Sequence, residues 1–142
     1  MRIFRSPDFV IWQDNQVYMN RWWIIPRNKW FNIYLHQFLR SDEDRALHDH
    51  PWWNISFLLR GTYLEHKLAG SVKLRKPGFP VFRFATTAHR VELIEGKSVW
   101  SLFITGRRIR TWGFYCPNGW VPWREFVEIV PGGNKNGKGC DD

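Results

Sequence analysis

His48 and His50, two histidines separated by one residue in LHDHPWWNISFLLRG (47–61), are the side chains whose spacing points most directly to chemistry. In an extended strand alternate side chains share a face, so two imidazoles at this spacing stand side by side, with Cα atoms about 7 Å apart, and can converge on one ion. Asn54, a further donor, follows four residues after His50, and Gly61 stands where a turn would close the segment. His89 opens another strand-like stretch after the short segment ATTA (85–88). By itself an HxH pair also reads as ordinary polar residues at the start of a strand, so the surrounding elements have to be placed first.

Those elements read as many short strands. VYMNRWWII (17–25), NIYLHQFL (32–39), NISFLLR (54–60), TYLEHKL (62–68), SVKLR (71–75), FPVFRF (79–84), HRVELIE (89–95), SVWSLFIT (98–105) and TWGFYC (111–116) are rich in β-branched and aromatic residues. Gly61, Gly70, Gly78, Gly96 and Gly106 punctuate them as turn signals. A sustained helical period is absent, and the one helix expected is short: SDEDRAL (41–47), with Ser41 as its cap. This pattern predicts an all-β sandwich or barrel. The expected organisation is one domain over residues 1–130, followed by a flexible tail, PGGNKNGKGCDD (131–142), whose composition buries too little apolar surface to offset its ordering entropy.

Composition narrows the functional classes. The chain has 142 residues, enough for one domain with a real core. No apolar run approaches the roughly 18 residues that cross a bilayer, and the opening MRIFRSPDF does not read as a signal peptide. With only Cys116 and Cys140, the second in the expected tail, a disulfide framework is not expected and a reducing, cytoplasmic location is. Ten tryptophans and an aromatic content of 18% suggest a barrel filled with large side chains or a cavity with stacking walls. Lys and Arg outnumber Asp and Glu by 21 to 13, favouring anionic partners, but the excess is scattered. Nucleic acid is therefore the weakest partner reading, and a small anionic molecule the stronger one.

HDHPWWNISFLLRG and RFATTAHRV together resemble the two sequence motifs of the cupin superfamily. The first of those motifs has the form G-x5-H-x-H-x3,4-E-x6-G and the second ends P-x-G-x2-H. The resemblance spans roughly residues 32–116, with the spacing of the first motif intact. It implies a double-stranded β-helix and a metal site made of His48, His50 and His89. Each motif departs from the pattern: Asn54 stands where glutamate is usual, and the second motif lacks its proline and glycine. What the resemblance implies is a three-histidine site with open coordination positions, a donor set that suits iron(II) first and zinc or another late divalent metal next. LHDHPWWN, HRVEL and WGFYCPNGW also look like a group of small cupin-like proteins of bacteria and their viruses.

Several other polar residues are candidates. Glu65 and His66 are neighbours on one strand, so only one can point inward; a rim position is the first expectation for either, and a role as metal partner or substitute ligand the second. His36 could orient a ligand imidazole through a hydrogen bond. Cys116 is a candidate ligand or a small core residue. Counting alternate positions from His50 gives Asn54, Ser56, Leu58 and Arg60 facing inward, which makes Arg60 the first candidate to meet an anionic substrate, with Arg83 and Arg108 as alternatives. Ile55, Phe57 and Leu59 then face outward, and an apolar outer face needs a cover, either the strand VYMNRWWII or a second copy of the chain in a homodimer. Three functions follow: a non-haem metal-dependent enzyme, dioxygenase- or hydroxylase-like; a non-catalytic small-ligand binder; and, last, a nucleic-acid contact protein.

Overall fold

In the computed structural model, which describes residues 5–42, 45–131 and 133–140, short strands dominate. In chain order they are β1 (Phe9–Gln13), β2 (Gln16–Trp23), β3 (Asn32–Phe38), β4 (Leu47–His48), β5 (Asn54–Arg60), β6 (Tyr63–Lys67) and β7 (Val72–Arg75). Then follow β8 (Pro80–Arg83), β9 (His89–Leu93), β10 (Val99–Thr105), β11 (Gly113–Cys116), β12 (Gly119–Pro122), a single helical turn α1 (Trp123–Phe126), β13 (Val127–Val130) and β14 (Gly133–Asn136). They form two sheets, one of eight strands in the order β13-β14-β1-β2-β3-β10-β5-β8 and one of six in the order β12-β11-β4-β9-β6-β7. Neighbours are antiparallel except β1 and β14, which run parallel. This is the expected all-β double-stranded β-helix.

The period-2 reading of NISFLLR holds at its first five residues. Asn54, Ser56 and Leu58 are buried, while Ile55 and Phe57 are only half-buried. Leu58 joins Tyr63, Val91, Leu93 and Val99 in a core cluster drawn from both sheets, with Phe38 packed against it. Gly61 then carries the chain from the larger sheet to the smaller, not round a hairpin within one sheet. Its φ is +87°, and a Cβ there would meet Val99 Cγ1 at 2.8 Å, so both conformation and space require glycine.

The described residues of the segment expected to be helical are not helical. Of SDEDRAL, Glu43 and Asp44 lie outside the described residues, Ser41 and Asp42 are irregular, and Leu47 begins β4. Ser41 Oγ accepts the Leu93 N–H (2.8 Å), while Asp42 Oδ2 accepts that of Val91 (2.7 Å). Their side chains satisfy the backbone of β9, a competing use of Ser and Asp that a local reading does not distinguish from capping.

Part of the expected flexible tail is a strand in the structure. Residues 133–136 pair with β13 on one side and β1 on the other. Backbone hydrogen bonds need no apolar side chains, so a Gly- and Asn-rich segment can take this place when both neighbours are present. Cys140, beyond the strand, forms a disulfide with Cys116, with Cα atoms 5.6 Å apart. This overturns the expectations of unpaired cysteines and of Cys116 as a candidate ligand, and it removes the cysteine argument for a reducing compartment. Closing 24 positions of chain, such a link stabilises by about 3 kcal/mol in the loop-entropy account. Among the described residues no helix is long and apolar enough to cross a membrane.

Candidate metal centre

His48 lies at the end of β4, directly opposite His89, the first residue of β9. On its other side β4 pairs with β11, which sets Phe114 opposite His48. His50 is past the end of β4, where the chain crosses to the larger sheet, so His50 and Asn54 do not share one strand. The crossing is tightly held. The His50 N–H bonds the Ala85 carbonyl (3.0 Å) and its own carbonyl accepts Arg110 Nη1 (3.1 Å). Between the histidines, fully buried Asp49 accepts the Gly113 N–H (2.8 Å) and Trp120 Nε1–H (3.1 Å) and pairs with Arg110 (2.8 Å). The middle residue of the HxH pair is thus the clamp that joins it to β11 and β12, a role its position alone does not announce.

The three imidazoles form a nearly equilateral triangle. Ring centroids are 5.1 Å apart for His48 and His50, 4.9 Å for His48 and His89, and 5.0 Å for His50 and His89. One nitrogen from each lies within 4.8 Å of the others. A bound ion would draw them to about 3–4 Å, given metal–nitrogen bonds of about 2.0–2.1 Å.

The chemistry of this donor set fits a divalent ion. A ligand imidazole must be neutral. Burial pushes all three histidines below their ordinary pKa, His48 to about 4, against the opposing pull of Asp42. His89 Nδ1–H donates to Glu65 Oε2 at 2.6 Å, which leaves Nε2 as its free donor atom. His50 Nδ1 is buried without a hydrogen-bond partner. His50 also stacks on Trp52 with planes 22° apart.

Glu65 is not at the rim. It is fully buried on β6 and its carboxylate anchors a cationic network: Arg75 Nε and Nη2 donate to Oε1 (2.9 and 2.5 Å), and Arg83 Nε to Oε2 (2.7 Å). Burial opposes its charge, but the His89 hydrogen bond and the neighbouring arginines outweigh burial and hold the carboxyl far below the usual range. Glu65 therefore orients His89. His66, its neighbour, faces the other way and meets Glu92 at 3.3 Å.

Other expected site residues fall elsewhere. Asn54 is buried beside the network, its Oδ1 accepting Arg83 Nη1 at 3.3 Å. His36 does not touch the triad; its Nε2 accepts Arg21 Nε–H at 2.9 Å. Arg60 is exposed, because pairing of β5 with β10 shifts register at Trp100/Ser101 and breaks the inward alternation after Leu58. Arg83 is buried but committed to Glu65, and Arg108 is exposed. Sequence reasoning missed Arg21. It lines, with the triad and the rings of Trp52, Phe103, Trp112 and Phe114, a cavity of about 350 Å³ between the sheets.

No protein-family model matches the sequence, and no curated protein does. Solved structures do match. A cupin-like protein from Thermotoga maritima aligns over 75% of this chain and 81% of its own with TM-score 0.58 and 13% identity. The DMSP lyase DddQ from Ruegeria pomeroyi aligns over 72% of this chain with TM-score 0.55 and 16% identity; this chain spans about half, 54%, of the lyase chain. FeII HppE aligns over 73% of this chain and 60% of its own, with TM-score 0.56 and 17% identity. At these identities the likeness is one of architecture, and it agrees with the two-sheet topology: the chain has the double-stranded β-helix fold of these structures.

Proposed function

We propose that this cupin binds one divalent metal ion through His48, His50 and His89, and that it is a non-haem metal-dependent enzyme, dioxygenase- or hydroxylase-like, acting on a small anionic organic molecule. The observation that carries this reading is the triangle of imidazoles held below their ordinary pKa, one of them fixed by a buried carboxylate, at the wall of a cavity lined with aromatic rings. Iron(II) is the first choice among metals because a neutral three-nitrogen face leaves positions for both an organic ligand and dioxygen; zinc is the second. When bound, such an ion supplies Lewis acidity or activation of dioxygen or water. The chain's own residues supply the rest: Glu65 fixes the His89 tautomer, Asp49 clamps the HxH segment, and the Trp52, Phe103 and Trp112 rings give the cavity an apolar wall.

The test is elemental analysis of full-length protein purified anaerobically without a metal-binding tag. About one equivalent of iron or another late divalent metal per chain is expected. Protein that remains metal-free after incubation with iron(II), zinc and cobalt(II) in turn would overturn the reading. A non-catalytic ligand-binding cupin is the second reading, favoured by one observation: Asn54 replaces the usual glutamate and is occupied by Arg83.

We also propose that two chains pair through the outer face of the larger sheet. Across that face Trp22, Leu35, Leu102, Phe57 and Pro80 lie in register, with Ile33, Ile104, Ile55 and Phe82 in the next row. The strand VYMNRWWII does not cover it, since β2 lies within the sheet beside β3. At the β2 end the face is already covered: Trp22 and Leu35 are buried, and the Trp22 Nε1–H bonds the Arg5 carbonyl at 2.8 Å. Leu59 and Phe82, at the far end, stay 41% and 53% exposed. A second copy related by a two-fold axis would set the same apolar rows against each other. Phe57→Glu is expected to give a folded monomer where the unmodified protein sediments as a dimer. A monomeric unmodified protein at roughly tens of micromolar would refute the pairing.

A further inference from the structure

The cavity that holds the triad also holds one charged side chain without a counter-charge. Arg21, on β2, lies opposite His36 of β3, and both face the cavity. His36 Nε2 accepts the Arg21 Nε–H, and the guanidinium carbon lies 4.3 Å from the centre of the Tyr34 ring. Tyr34 in turn stacks on His36 with planes 11° apart. The guanidinium is thus fixed on one edge and one face. Among the described residues no carboxylate is within ion-pair distance of it, and its terminal amino groups have no acceptor.

The acids that border the same cavity are already used. Asp42 accepts the Tyr18 hydroxyl and the Val91 N–H, and Asp49 is held by Gly113, Trp120 and Arg110. Burial lowers the Arg21 pKa to about 10, the sign of a cation short of compensation. The remaining lining is largely apolar and includes a run of rings: Phe103 lies 5.0 Å from His36 and 5.5 Å from Trp52, which stacks on His50. A ligand reaching from the guanidinium to the triad passes along these rings.

We infer that Arg21, positioned by His36 and Tyr34, is the specificity-determining residue of the site and receives the carboxylate of a small, partly apolar organic acid whose other end lies at the histidine triad. A carboxylate matches the two amino groups of a planar guanidinium, and the resulting pair is charge-neutral. One cation beside two committed aspartates does not balance a phosphate dianion. This inference deepens the proposed metal-dependent reading and supplies the anion site that Arg60 was expected to provide.

The test uses the full chain, metal-loaded and chelator-treated in parallel, with benzoate, the uncharged isostere benzamide and phenyl phosphate as calorimetric probes, and with metal content measured in every preparation. Unmodified protein is expected to bind benzoate at least about tenfold more tightly than benzamide, as a charge-assisted hydrogen-bond pair should. Arg21→Met and Arg21→Lys are each expected to weaken benzoate by at least about tenfold with metal content unchanged, because lysine keeps the charge without the planar fork. Lysine also keeps the test open if the methionine variant does not fold. Benzoate that fails to bind, binds no better than benzamide or phenyl phosphate, or binds both variants as it binds unmodified protein would overturn the inference. Protein that takes up no iron(II), zinc or cobalt(II) yet still discriminates through Arg21 would overturn the metal reading and leave the carboxylate site standing.

Discussion

The His48→Ala/His50→Ala double variant is expected to remain folded and to hold less than about a tenth of an equivalent of metal, because one remaining imidazole cannot replace a three-nitrogen site. Both imidazoles are half-buried polar groups at the cavity wall, not members of the core cluster of Leu58, Tyr63, Val91, Leu93 and Val99. His50 Nδ1 is already without a partner, so removing the ring removes a desolvated polar atom along with its packing on Trp52. Those effects oppose one another, and thermal unfolding of the metal-free variant should stay close to that of metal-free unmodified protein. Wild-type metal stoichiometry in the double variant would show that the ion, if bound, is bound elsewhere.

Glu65→Ala should have the opposite profile, a large loss of stability together with weakened metal binding. The carboxylate is the counter-charge of Arg75 and of Arg83, and Arg83 is only 3% exposed. Its removal strands a buried guanidinium, a change that typically costs about 3–5 kcal/mol. For a domain of this size that corresponds to a fall in Tm of roughly 10–20 °C. Metal affinity should fall by about 10–100-fold, because His89 loses the acceptor that fixes its tautomer. Calorimetric unfolding and metal titration of the same preparation separate the two effects. Glu65→Gln, which keeps an acceptor for His89 and loses the charge, should recover more of the metal affinity than of the stability. A Glu65→Ala protein as stable as the unmodified one would show that Asn54, Ser56 and Tyr63, the other partners of Arg83, suffice to hold it.

Much of this architecture was legible in the sequence wherever side chains alternate. NISFLLR, with polar or aliphatic residues facing in and bulky apolar ones facing out, was delimited to the residue. The triad was legible as motif spacing, since the second histidine segment begins one strand beside the first. What alternation does not carry is register. Nothing local says that β2 lies on β3 with Arg21 against His36, so the cation of the cavity was overlooked and His36 was given another partner. Arg60 failed for a related reason: the register shift at Trp100/Ser101 belongs to the pairing of two strands, not to either alone. The Glu65/His66 choice was likewise open until β9 and β7 fixed which face of β6 is buried. β14 lay beyond reach because its place is set by backbone hydrogen bonds to β1 and β13, which leave no trace in side-chain pattern.

Because β14 fills the place between β13 and β1, the first hairpin is made on the ribosome long before the strand that completes its edge. Until then β1 presents unpaired amide and carbonyl groups, an open template for another copy's strand. Closing the contact brings together segments from opposite ends of the described chain, an entropic cost that grows slowly with loop length but is met only late. Folding should accordingly be slow for the size of the domain, in the millisecond-to-second range typical of non-local β topologies. Crowded expression would then favour intermolecular exchange of the first hairpin, and lower temperature or slower synthesis should raise the yield of correctly closed protein.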